Sequence, residues 1–211
     1  MKRIASAVTA GVLAMLFTGL DAQATLPYVS GAVGLGYLTD SAVEVDGDHI
    51  ADLSYDSGFL VTAAVGLDAG VYRLEAEAGY QTNDLNKYTE VGGPDEATAD
   101  GSLEIFTVLA NGYLDFGMPD STLKPYVTAG AGIATIGLES TSDFGGVVDV
   151  DETVFAYQLG AGLGFELSPG VMMDIRYRYF AAADPEFKVD GDKWDVDVDS
   201  HNLMLGMRVG F

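Results

Sequence analysis

Cysteine is absent from the chain, so no disulfide contributes to its stability. Histidine occurs twice, at His49 and His201, and tryptophan once. With no thiol and two isolated imidazoles, there is little material for a nucleophile–base pair or a soft-metal centre. Basic residues are scarce as well: 10 Lys and Arg stand against 32 Asp and Glu, a formal charge of −22. Phosphate backbones are held by basic patches, so nucleic acid is excluded as a partner. Missing too is any run of about 20 apolar residues that would cross a bilayer as a helix. Yet the sequence is 48% hydrophobic, too apolar for its charge to keep it disordered. Without disulfides, stability must come from a regular core or a closed sheet.

The N-terminus begins Met1-Lys2-Arg3, continues with an apolar run over 12–17, and reaches Asp21-Ala22-Gln23-Ala24. A positive start, a short hydrophobic middle and a small-x-small ending predict a secretory signal peptide over 1–24, cut after Ala24. The mature chain, 25–211, is then long enough for one domain and short for two.

What the chain has in abundance is alternation. Over 71–81, Tyr72, Leu74, Ala76, Ala78 and Tyr80 fall on one parity, while Arg73, Glu75, Glu77, Gly79 and Gln81 fall on the other. Side chains of a strand point to opposite faces in turn, so this segment lays an oily face behind a charged one. Arg73 and Glu77 are four apart, which also suits a short amphipathic helix. The stretch at 174–179 tips the balance to strand: Ile175, Tyr177 and Tyr179 oppose Asp174, Arg176 and Arg178 in β-prone sequence.

The same pattern marks eight strands in all, near 28–37, 58–68, 71–81, 102–116, 125–137, 154–166, 171–180 and 202–211. In the fourth, Phe106, Val108, Ala110, Leu114 and Phe116 read outward, which turns Leu109 and Tyr113 inward among polar groups. Asp68-Ala69-Gly70 and Ser168-Pro169-Gly170 are tight turns, and Pro119-Asp120 lies in a third short link. Long acidic loops are expected at 39–57, 83–101, 138–153 and 181–199. The fold class is therefore all-β: an eight-stranded antiparallel up-and-down transmembrane β-barrel with four long outer loops and three short periplasmic turns. A soluble lipocalin-like barrel is the rival, with the oily parity inside and the arginines in water. Aromatic residues near both strand ends suit the transmembrane form. Tyr28, Tyr72, Phe116, Tyr126, Phe165 and Phe211 would form one interface girdle, and Tyr37, Phe59, Tyr80, Phe106, Phe155 and Tyr179 the other.

Several short pieces carry a family resemblance: Tyr28-Val29-Ser30-Gly31, Arg73-Leu74-Glu75, Asn111-Gly112-Tyr113-Leu114-Asp115 and Lys124-Pro125-Tyr126. Gln158-Leu159-Gly160-Ala161-Gly162, Tyr177-Arg178-Tyr179-Phe180 and Phe211 complete the set. Over nearly all of the mature chain the sequence resembles small outer-membrane barrels of the opacity-protein and OmpA-transmembrane-domain group. The resemblance implies a Gram-negative outer-membrane location, contact with membrane lipid, and recognition of the last strand by the barrel-assembly machinery during insertion.

An eight-stranded barrel is just wide enough to be filled by its own side chains. Arg73, Glu75, Glu77, Asp174, Arg176, Arg178 and Arg208 are the inward charges, and buried charges persist when paired. They are expected to form a plug of ion pairs across the third, seventh and eighth strands. Asp190, Asp192, Asp195 and Asp197 are hard-oxygen candidates for Ca²⁺, although the EF-hand spacing is not met. No cofactor is indicated. Ser200 and His201 are adjacent, so on a strand they face opposite sides and form no catalytic pair. The expected function is a structural or surface-interaction barrel whose acidic loops meet a surface ligand. A narrow porin-like channel is the alternative, and a lipid-modifying enzyme stands behind that.

Overall fold

The computed structural model describes residues 25–39, 41–45, 48–55, 57–90, 96–97, 100–117, 121–142, 146–183, 186–189, 192–196 and 198–211. The segment expected to be a signal peptide, 1–24, lies outside the described residues.

Eight strands form the barrel wall: β1 (Leu26–Leu38), β2 (Gly58–Asp68), β3 (Tyr72–Glu90), β4 (Asp100–Asp115), β5 (Leu123–Ser142), β6 (Gly146–Ser168), β7 (Val171–Ala182) and β8 (Val198–Gly210). Each pairs antiparallel with its sequence neighbour. The wall closes where β8 meets β1, from Tyr28↔Gly210 to Leu38↔Ser200. The Phe211 amide adds a bond to the Pro27 carbonyl at 3.0 Å. Closure leaves the wall no free edge, the condition lipid imposes on a sheet. Two tight turns lie at one end. Gly70 (φ 87°) and Gly170 (φ 79°) take the left-handed conformation there, which glycine adopts without a Cβ clash. The Gly70 amide donates to Asp68 Oδ1 at 2.8 Å, and the Ala69 amide to the Tyr72 carbonyl at 2.9 Å.

Parity sorts the wall into two faces. Val33, Leu35, Val61, Leu159, Leu203, Leu205 and Met207 stand exposed on the outside. Arg73, Glu75, Glu77, Arg176, Arg178 and Arg208 are buried inside. The soluble rival would require the opposite. An exterior this greasy is compatible with hydrocarbon and not with water.

Two expectations are corrected. Tyr28 and Tyr126 do not join the girdle at the turn end: they are 2% and 4% exposed and fill the lumen. Tyr28 shares the inward parity of Ser30, so alternation and not position near a strand end decides its face. Tyr72, Phe116 and Phe211 are exposed on the outside, and Phe165 is half-buried.

The second correction concerns the long loops. β3 runs on to Glu90, and β5 and β6 stay paired up to Ser142↔Gly146. Ser41–Val45 and Asp48–Tyr55 form a hairpin that pairs with upper β3 through Ala51↔Glu90 and Leu53↔Tyr88. On its other side Ser41–Val45 pairs with Asp192–Val196, which pairs with Glu186–Val189. Oily alternation marks where a strand touches lipid. Beyond that zone the ladder continues without a sustained oily alternation in the sequence, so apolar periodicity does not mark it.

Candidate functional site in the barrel lumen

The lumen is filled in layers. Nearest the turns, Arg73 of β3 makes a bidentate pair with Asp115 of β4, Nε to Oδ2 at 2.6 Å and Nη2 to Oδ1 at 2.9 Å. Parallel N–H bonds to one carboxylate are among the strongest side-chain contacts available. The Arg73 guanidinium also lies 4.0 Å above the Tyr113 ring and 4.9 Å from that of Tyr126. Arg208 stands 3.8 Å from Asp68 and 5.4 Å from the Tyr28 ring.

Both tyrosines owe their inward pose to a glycine across the strand. Tyr28 is in register with Gly66, and Tyr126 with Gly162. A Cβ at either glycine would run into the ring, so the absence of a side chain lets each ring lie against the wall.

The middle layer is built on Glu75 and Glu77. Glu75 accepts from the hydroxyls of Tyr28 at 3.0 Å, Ser30 at 3.0 Å and Tyr113 at 2.7 Å. Glu77 accepts from Arg176 at 3.3 Å and Arg178 at 3.2 Å. Arg176 also donates to the Tyr113 hydroxyl at 2.7 Å, so one ring links the two carboxylates. Arg178 donates to Gln158 at 3.2 Å, and Gln158 to Asn111 at 2.6 Å. Asn202, its amide oriented by its neighbours, accepts from Arg178 at 3.2 Å and donates to Gln81 at 3.3 Å.

Above this the filling turns apolar. Leu38, Leu103, Ile105, Leu109, Ile136, Phe180 and Val198 form a buried cluster toward the loop end. The inward Leu109 belongs to it. The lumen is thus sealed by hydrocarbon on the loop side and by ion pairs on the turn side.

The structure brings together Arg73, Glu75, Glu77, Arg176 and Arg178 through the tyrosines and amides of β1, β4 and β6. Asp174 sits differently. With Arg208 it lines a cavity of about 30 Å³, and neither Asp174 Oδ1 nor Arg208 Nη1 makes a hydrogen bond. That volume holds about two waters, which would satisfy both groups. Tyr28, Tyr113, Asp115, Tyr126 and Gln158 are members that sequence reasoning did not assign to the network, and the inward parity of Tyr113 was the available signal.

Of the acidic candidates, Asp190 and Asp197 lie outside the described residues, and the side chains of Asp192 and Asp195 are not described. Among the described residues no group of three His, Cys, Asp or Glu could hold a metal ion. Ser200 is buried, and His201 lies on the outer face.

The family model described as "Outer membrane protein beta-barrel domain" matches residues 7–208. Curated relatives include the putative adhesin RC1281 of Rickettsia conorii, 35% identical over 118 residues, or 49% of this chain and 47% of that one. Outer membrane protein PagN of Salmonella typhimurium is 27% identical over 137 residues, 57% of this chain and 55% of that one. The chain therefore spans about half the length of the curated relatives it matches. Among solved structures, OprG from Pseudomonas aeruginosa superposes with a TM-score of 0.61 at 18% identity, covering 89% of this chain and 96% of its own. Neisserial surface protein A gives 0.54 at 19% identity, covering 90% and 100%. At these identities the structures support the fold alone.

Proposed function

Because the chain belongs to the outer membrane protein β-barrel family, we propose that it is a surface-interaction barrel of the Gram-negative outer membrane. The observation that carries this reading is the two-part filling of the lumen, ion pairs below and an apolar cluster above. A barrel closed by its own side chains leaves the paired strands beyond the wall to meet a partner. The names of two relatives, a putative adhesin and PagN, support the same reading. In this proposal the signal peptide directs export, the barrel-assembly machinery inserts the chain, and the acidic outer segments meet the ligand. No catalytic role is proposed, since Ser200 and His201 stand on opposite faces of β8.

Replacing residues 42–54 and 187–196 with short turns, then measuring whole-cell attachment after confirming outer-membrane fractionation, tests the reading. Attachment should fall while the barrel persists. Unchanged attachment would defeat it.

The second reading, a narrow channel, rests on the cavity beside Asp174 and Arg208. Planar bilayers decide between the two. The filled lumen predicts no steady conductance, and a large steady current would favour the channel.

A further inference from the structure

Two neighbouring strands of the wall end at different heights. β7 stops at Ala182, in register with Ala156, and just beyond it the Ala183 amide donates to the Phe155 carbonyl at 2.8 Å. β6 extends well past that point, to Gly146, paired with β5 as far as Ser142↔Gly146. Among the described residues, the stretch 146–154 therefore has β5 on one side and no paired strand on the other. Glu186–Val189 comes near β6 but pairs only with Asp192–Val196. In an antiparallel ladder, alternate residues turn both N–H and C=O toward the same neighbour. The Phe155 carbonyl points to β7, so the backbone groups of Thr153, Asp151, Asp149 and Val147 point the same way, past the end of β7. They form a row of donors and acceptors at strand spacing.

Free edges in folded proteins are commonly blunted by Pro, Lys or a bulge. Here 146–154 reads Gly-Val-Val-Asp-Val-Asp-Glu-Thr-Val, rich in β-branched residues, with neither Pro nor Lys, and its register with β5 runs without a shift. The charge along it is of one sign. Asp149, Asp151 and Glu152 belong to the edge strand, and Glu139 of β5 stands in register with Asp149. On the nearby hairpin, Glu186 stands in register with Asp195. Like charges opposite one another weaken a ladder. Pairing with a second copy of this edge would add to the repulsion, whereas a strand bearing Lys or Arg would relieve it.

We propose that the edge of β6 over 147–153 binds an extended, Lys- or Arg-bearing segment of a partner protein, which adds to the sheet as a further strand. The proposal rests on the surface-interaction reading above and names the chemistry of the partner. Main-chain hydrogen bonds to Val147, Asp149, Asp151 and Thr153 supply the affinity. The acidic residues set the sign of the side chains that the edge accepts.

The test uses the full mature protein in phosphatidylcholine nanodiscs. Its probe is a labelled peptide of about nine residues alternating Lys with Val, the length of an ordinary strand. One control peptide is N-methylated throughout, which keeps the charge and removes every backbone donor. Another carries Glu in place of Lys. Amide hydrogen exchange reads the site: Val147, Asp149, Asp151 and Thr153 should exchange fast in the free protein and slowly with the probe bound. Val148, Val150 and Glu152, whose amides face β5, should be protected in both. Asp149→Pro removes an edge N–H without touching the ladder to β5, and should weaken binding by about tenfold, Asp149→Asn by less. Cells carrying Asp149→Pro should attach less well. The proposal is overturned if either control peptide binds as well as the probe, if the edge amides stay fast, or if Asp149→Pro binds like Asp149→Asn. Attachment that survives Asp149→Pro but is lost with 42–54 and 187–196 overturns this edge and leaves the surface-interaction reading standing.

Discussion

Arg176 and Arg178 reach the same carboxylate: Glu77 accepts from one at 3.3 Å and from the other at 3.2 Å. Both arginines project inward from β7, two residues apart on one face, and Glu77 faces them from β3 across the lumen. Glu77→Gln therefore leaves two buried cations with one charge fewer between them. Breaking a buried pair costs roughly 3–5 kcal/mol. Urea unfolding in detergent micelles should show a loss of that order. Adding Arg178→Met should recover part of it, and strict additivity of the two changes would count against a shared contact.

Tyr113 is the hinge of the middle layer, donating to Glu75 and accepting from Arg176. Tyr113→Phe keeps the ring under Arg73 but strips both hydrogen bonds. The expected loss is about 1–3 kcal/mol, the cost of leaving buried polar partners unmatched. Tyr80→Phe, whose hydroxyl bonds Glu104 on the outer face, should cost less than Tyr113→Phe. Equal costs for the two would mean that the lumen contact is not a special one.

On the lipid side, Leu205 sits midway along β8, in register with Val33 and Ile175. Leu205→Arg places a charge against hydrocarbon and should destabilise the barrel by about 2–4 kcal/mol, the usual cost near a bilayer midplane. The same change tolerated without effect in lipid vesicles would contradict the assignment of faces.

The sheet beyond the wall can be tested covalently, because the chain has no other thiol. Val43 and Val196 are in register between Ser41–Val45 and Asp192–Val196. Val43→Cys with Val196→Cys should oxidise spontaneously to a bridge that joins the first and last outer segments, visible as a mobility shift reversed by reductant. Pairs displaced by four residues along either strand should stay reduced, since disulfides require Cα atoms within about 7 Å.

Much of the wall was legible because lipid imposes a strict period of two. Phe155 to Phe165 and Leu203 to Phe211 announce their faces residue by residue. The lumen was legible as a list of charges but not as partners: nothing local in Arg73 says that it meets Asp115 rather than Glu75. Tyr28 and Tyr126 lie near strand ends, yet parity and not that position sets their face, and it turns both inward. Opposing glycines at Gly66 and Gly162, readable only once register is known, are what make room for them. The outer pairing of Ser41–Val45 with Asp192–Val196 joins segments about 150 residues apart, where neither face has to be oily, so periodicity is silent.

The seam between β1 and β8 has a consequence for biogenesis. Until those two strands meet, each presents a full row of unmet amide and carbonyl groups, and neither membrane hydrocarbon nor the neighbouring strands can answer them. Partial insertion is therefore not a resting state for this molecule. The unzipped form must be shielded by other proteins or by water until the two lateral edges dock and satisfy each other.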